Sequence, residues 1–274
     1  MNPITSIVKR YPQVAFWLIA WSTFAFGWFM FKKDGSLLWA FLIWGPFLGG
    51  ALVTTIADGR RGVRTFFGRI VRWRVGIQWY AIALLLPPLF KLVAAGLNII
   101  ISGAKFPANI QWISQSDLIF SIIMAVFFIS LGEEPGFRGF ALPRFMTKYS
   151  ALAASLIVGV LHAIWHIPLF LTGDDAPVAT IAIIISGSVL FTWLFNRTNE
   201  SVLIAMLLHS SVDISADFFR PLFTGASARS YEAWYIALYV ALAVLLLILT
   251  GRELGRKPGT TADTLTAEQP GLAG

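Results

Sequence analysis

The sequence predicts an all-α protein: a polytopic membrane bundle of about eight transmembrane helices with a polar intramembrane cavity. Three observations predict it. Of 274 residues, 57% are hydrophobic and 13% charged, with a mean hydropathy of +0.73; soluble domains run at about 45–50% apolar and about 25% charged. Eight segments reach or approach the roughly 20 apolar residues that cross a bilayer. Finally, ionisable residues recur inside three of those segments, where they must face a bundle interior or a water-filled space.

The expected spans are residues 13–31, 37–57, 77–101, 118–140, 151–171, 177–195, 201–219 and 233–250. The first is read as a retained span, because Lys32 and Lys33 follow it and no small-residue cleavage site does. Eight spans place both termini on one side. Fifteen Lys and Arg residues then share that side, six of them in the 58–76 loop, against Lys32, Lys33, Lys105, Arg220 and Arg229 on the other. The positive-inside rule makes the richer side cytoplasmic. The expected location is an integral protein of a cell (inner) membrane with both ends in the cytoplasm, and the overall style of the loops suggests a prokaryotic source. The 58–76 loop reads as a surface helix on anionic headgroups or as a topology anchor. Residues 251–274, rich in Gly, Thr, Ala and Pro, read as a disordered cytoplasmic tail.

Composition excludes other classes. The chain has no cysteine, which removes disulfides, thiolate metal sites and a Cys nucleophile. Its net charge of +7 accords with loop bias, and no basic stripe of a soluble helix suggests nucleic acid. Membrane lipid is the expected surrounding partner.

Three segments carry the chemistry. In LGEEPGFRGF (131–140), Glu134 and Arg138 are four apart and can pair on one helix face. Glu133 points about 100° away and lacks a local partner, so it is the acid free to take a proton from water. Pro135 and Gly136 are expected to break the helical ladder. A charged loop between two shorter spans is the plainer alternative. In VGVLHAIWHIPLF (158–170), His162 and His166 share a face. Such spacing suits two imidazoles on a metal ion, or simply hydrogen bonds to neighbouring helices. In LLHSSVDIS (207–215), Asp213 lies one turn after His209 and can hold one ring nitrogen. Ser210, Ser211 and Ser215 read as interhelical glue, and Asp217 as interfacial.

Together these segments resemble the CPBP family of intramembrane proteases (CAAX protease and bacteriocin-processing, also called Abi), which includes the Ras-converting endopeptidase. The family's EExxxR motif is matched by Glu133, Glu134 and Arg138, and Gly139 to Pro143 continue it as GFALP. Its second motif, an aromatic residue, three others and a histidine, is matched by His166, with His162 in the aromatic position. Its third, histidine, three others and Asn or Asp, is matched by His209 and Asp213. The motif core spans 131–215 within a single transmembrane protease domain, residues 1–250.

The resemblance implies an intramembrane endopeptidase that acts on a membrane-associated peptide or protein. Glu133 would activate water, His166 hold it, and His209 with Asp213 serve the oxyanion. Glu134, Arg138 and His162 would support them. Metal use stays open: Zn²⁺ could sit on Glu133, His166 and His209, or the enzyme could be a glutamate protease without metal. Two further classes stand beside it, a proton-coupled transporter and a non-catalytic membrane scaffold or immunity factor of the same family. The position of the Glu–Arg motif suggests cleavage on the cytoplasmic side. A prokaryotic source would favour peptide maturation or self-immunity over prenylated substrates.

Overall fold

The computed structural model describes residues 3–106 and 110–257. It contains eight helices long and apolar enough to cross a membrane among the described residues, and no strand. They are α1 (Pro12–Asp34), α2 (Phe41–Ile70), α3 (Ile77–Ile100), α4 (Gln115–Phe145), α5 (Ala151–Thr172), α6 (Pro177–Arg197), α7 (Val202–Leu222) and α8 (Gly225–Glu253). Their outer faces display residues that no aqueous surface would keep in such number, among them Ile77, Ile100, Val178 and Ile248, each more than 70% exposed. That surface is the lipid face.

The apolar interior has two lobes. One packs Phe16, Trp17, Phe24, Phe66, Phe137 and Phe140 around α1, α2 and α4. The other packs Leu190, Leu194, Ile204, Leu208, Tyr235 and Tyr239 around α3, α6, α7 and α8. Helix α4 contributes to the first lobe, and its residues 130–143 are almost entirely buried.

Helix α4 is not broken at Pro135. It widens instead. Residues Met124–Ser130 and Pro135–Ala141 form two π-helical stretches around the α-helical turn Leu131–Glu134. Proline contributes no N–H, so the ladder must loosen there, and a wider turn does this without an interruption. Loosened carbonyls find partners elsewhere. Arg69 Nη1 donates to the Gly139 carbonyl at 2.7 Å, and Ser210 Oγ lies 3.2 Å from that of Ala125. Glycine lets α2 approach this irregular stretch: a β-carbon on Gly136 would lie 2.4 Å from the Pro46 carbonyl oxygen.

The arginine-rich segment departs from expectation. Helix α2 runs through it to Ile70, with a reversal at Gly59 (φ 62°). Arg60, Arg61 and Arg64 are exposed, as a headgroup-facing helix requires. Arg69 is instead buried and pairs with Glu200 at 3.0 Å. Arg144 pairs with Asp58 nearby.

The beginning of the expected tail is packed. Leu254 is fully buried, Asn196 Nδ2 donates to its carbonyl at 3.1 Å, and Arg256 Nη1 donates to the Met146 carbonyl at 2.8 Å. The rest of that expected tail, 258–274, lies outside the described residues. Ser210 and Ser211 of α7 do act between helices: Ser210 Oγ is 3.0 Å from Ser130 Oγ, and Ser211 Oγ donates to the Leu84 carbonyl at 2.8 Å.

Candidate active site

Glu133, Glu134, Arg138, His162, His166, His209 and Asp213 all line one cavity of about 490 Å³. Three helices bring them there. The tight turn Leu131–Glu134 of α4 supplies the two acids, the middle of α5 two imidazoles, and α7 the third. Ordinary i, i+4 spacing keeps each pair on its helix face; packing brings the three faces together.

Glu134 is fully buried, and its Oε1 is the centre of the charged base. It accepts from Arg138 Nη1 at 2.8 Å and lies 2.8 Å from His209 Nδ1. An ionised carboxylate offers no proton, so Nδ1 of His209 must be the donor. This differs from the sequence expectation that Asp213 holds that ring. Asp213 Oδ2 is 3.7 Å from His209 Nε2, beyond hydrogen-bond length. The Arg138 guanidinium also rests on the Phe191 ring, 4.2 Å from its centroid.

Glu133 is not left alone as its own helix suggests. His162 Nε2 lies 3.2 Å from Glu133 Oε2. His162 thus occupies the motif's aromatic position in both senses: its ring stacks obliquely on Phe137 at 4.3 Å, and one nitrogen enters the polar site. Its buried Nδ1 has no hydrogen-bond partner. Facing an ionised Glu133, His162 therefore donates from Nε2, since a bare buried lone pair costs less than an orphaned N–H.

His166 Nδ1 is 3.1 Å from the carbonyl of His162, one turn back. A carbonyl only accepts, so Nδ1 carries the proton and Nε2 keeps its lone pair. Three histidines thus have three different tasks, assigned by what each nitrogen meets.

Of the residues suggested as zinc ligands, Glu133 meets His162 through Oε2, His166 meets a carbonyl through Nδ1 and His209 meets Glu134 through Nδ1, which leaves Glu133 Oε1 and the Nε2 atoms of His166 and His209 unengaged. Among the described residues, no three His, Cys, Asp or Glu side chains converge to hold a metal ion.

Sequence reasoning missed several lining residues. Asp175, Ser188, Phe191 and Tyr239 all border the cavity. Ser188 Oγ is buried without a partner, as is Glu134 Oε2. Asp175 had one available signal, an acid pair in the short connection between two spans. The others lie in stretches whose residue types carry no such mark.

Acids and imidazoles around one buried cavity in a membrane bundle are the equipment of an intramembrane hydrolase. Residues 115–215, which contain all three motifs, match the family described as type II CAAX prenyl endopeptidase Rce1-like. Over 218 residues, 73% of this chain and 79% of its relative, the sequence is 20% identical to CAAX prenyl protease 2 of Methanococcus maripaludis. Over its motif-bearing part the chain is thus similar to Rce1-like CAAX prenyl endopeptidases.

Proposed function

We propose that this protein is an intramembrane endopeptidase in which Glu133 activates the attacking water. The observation that supports this reading is the convergence of Glu133, His166 and His209 on one cavity of about 490 Å³. Glu133 Oε2 is steadied by His162, which leaves its other oxygen for water. The free Nε2 of His166 accepts a hydrogen from the same water and orients it. Attack on the scissile carbonyl transfers the water's proton to Glu133, which then passes it to the leaving amine. Oxyanion charge develops next to His209, which donates from Nε2 in its protonated form, balanced by Glu134 and Asp213. Arg138 holds Glu134 in place.

The rest of the cavity wall is apolar, with Phe24, Trp28, Ile43, Leu169, Ile183 and Ile184. It suits an aliphatic or lipid-anchored stretch beside the scissile bond. A membrane-tethered peptide cut near its C-terminal end is therefore the substrate class, in keeping with the family and relative names. Residues 1–250 act as one protease domain.

The Lys and Arg distribution supports cytoplasmic termini. The cavity extends from Arg138 to Asp175 and Thr180, toward the end opposite the arginine-rich one. With both termini inside, substrate enters from the outer side or laterally from lipid, in place of the cytoplasmic side that the position of the Glu–Arg motif suggests. Protease protection of a C-terminal tag in sealed vesicles reads the orientation.

The test is reconstitution in liposomes with membrane-tethered peptides, with Glu133→Ala and His209→Ala as controls. Cleavage lost in both variants is the expected result. Equal cleavage in both removes the site assignment, and proton-driven uptake without cleavage favours the transporter class.

A further inference from the structure

The cavity has an electrostatic character that hydrolysis alone does not require. Four carboxylates line it: Glu133, Glu134, Asp175 and Asp213. Among the described residues lining it, Arg138 is the one permanently charged cation, and Glu134 engages it at 2.8 Å. A low-dielectric enclosure with surplus negative charge concentrates cations.

Asp175 is the acid furthest from the chemistry. It sits on the connection 173–176 between α5 and α6. Its neighbour Asp174 is turned to the other side, where it binds Lys32 Nζ at 3.0 Å and Thr172. Thr172 in turn accepts from Trp28 Nε1 at 3.0 Å. Gly173, in the left-handed conformation at φ 73°, closes α5 and makes this turn possible. The turn is thus pinned to α1 through Asp174, while Asp175 is held against the cavity. The Asp175 side chain has no hydrogen bond or ion pair among the described residues, and it is close enough to Asp213 for their charges to interact. Asp213 Oδ2 is itself buried without a hydrogen-bond partner. Burial first, and then the charge of Asp174, push the Asp175 carboxyl above its ordinary range, as befits an acid with no cation.

We infer that Asp175 is a specificity subsite for a cationic group of the substrate, a Lys or Arg side chain or a free α-amine, next to the apolar stretch that the cavity wall receives. This rests on the reading of the cavity as a peptide site. Asp175 binds and positions; it touches no reacting atom. Asp213 adds to the attraction from across the cavity.

The experiment uses the full chain in liposomes with tethered peptides that carry Lys, Gln or Glu at each position flanking the scissile bond. At one position the wild type should favour Lys over Glu about tenfold in kcat/KM, equivalent to about 1.4 kcal/mol. The difference should lie in KM, with kcat little changed. Asp175→Asn should level the preference, and Asp175→Lys should invert it toward Glu. An unchanged preference in both variants overturns the subsite. Binding of the same peptides to the Glu133→Gln protein, read by fluorescence anisotropy, separates this inference from the hydrolase reading. Charge-selective binding that depends on Asp175, with no cleavage by the wild type, supports the subsite and sinks the protease. Cleavage without charge preference does the reverse, and neither cleavage nor binding overturns both.

Discussion

The arginine-rich end of the bundle and the cavity both bury charge, but they finish it differently. At the arginine-rich end every buried charge is matched. Arg69 donates to Glu200 through Nε and Nη2 and to the Gly139 carbonyl through Nη1; Arg144 pairs with Asp58 and lies over the Phe140 ring at 3.7 Å. In the cavity, polar atoms are left over. Glu134 Oε2, His162 Nδ1, Ser188 Oγ and Asp213 Oδ2 are buried without partners. Charges that hold helices together are fully satisfied, because an uncompensated buried charge is costly. Groups that must receive a water or a substrate keep open valences.

Substitutions can break or sharpen this contrast. The largest effect expected is on rate: Glu133→Gln should lower peptide cleavage by about 10²–10⁴-fold, with thermal unfolding in detergent nearly unchanged. Next is Arg69→Ala, which leaves Glu200 without its guanidinium and should cost about 3–5 kcal/mol of stability, measured in the same unfolding assay. Equal and small stability losses from both variants would erase the distinction between the two regions. Gly136→Ala should cost about 1–3 kcal/mol, because the new methyl meets the Pro46 carbonyl. It should also reduce activity, since the same helix carries both glutamates.

The smallest effect is on pH dependence. A carboxyl whose folded pKa is raised contributes stability below its unfolded value of about 3.8 and loses it as pH rises through the folded value. Asp175→Asn should remove that slope and leave the unfolding temperature at neutral pH equal or slightly higher. A lower temperature would mean that Asp175 has a structural partner, against the subsite.

Much of this was legible in the residues. The eight spans read from apolar runs appear as helices, with bounds shifted where helices run beyond the lipid-compatible stretch, as α2 does to Ile70. The pairing of Glu134 with Arg138 follows from i, i+4 spacing alone, and the structure has it at 2.8 Å. Contacts between helices were not legible. Nothing in the spacing of 131–140 says that His162 meets Glu133, or that Glu134 rather than Asp213 takes His209 Nδ1. Nor could the pattern tell a π-widened helix from a broken one at Pro135, since both follow from the same missing N–H.

What the sequence by itself determined is which chemistry enters the membrane: hydropathy sets the spans, and helical period puts each acid and imidazole on a face. Only the tertiary structure decided which face meets which, and therefore which nitrogen donates, which oxygen stays free, and that Asp175 joins the cavity. The reason is physical. Periodicity is a property of one helix, whereas hydrogen-bond roles depend on the distance and angle between two, and those come from packing the whole bundle.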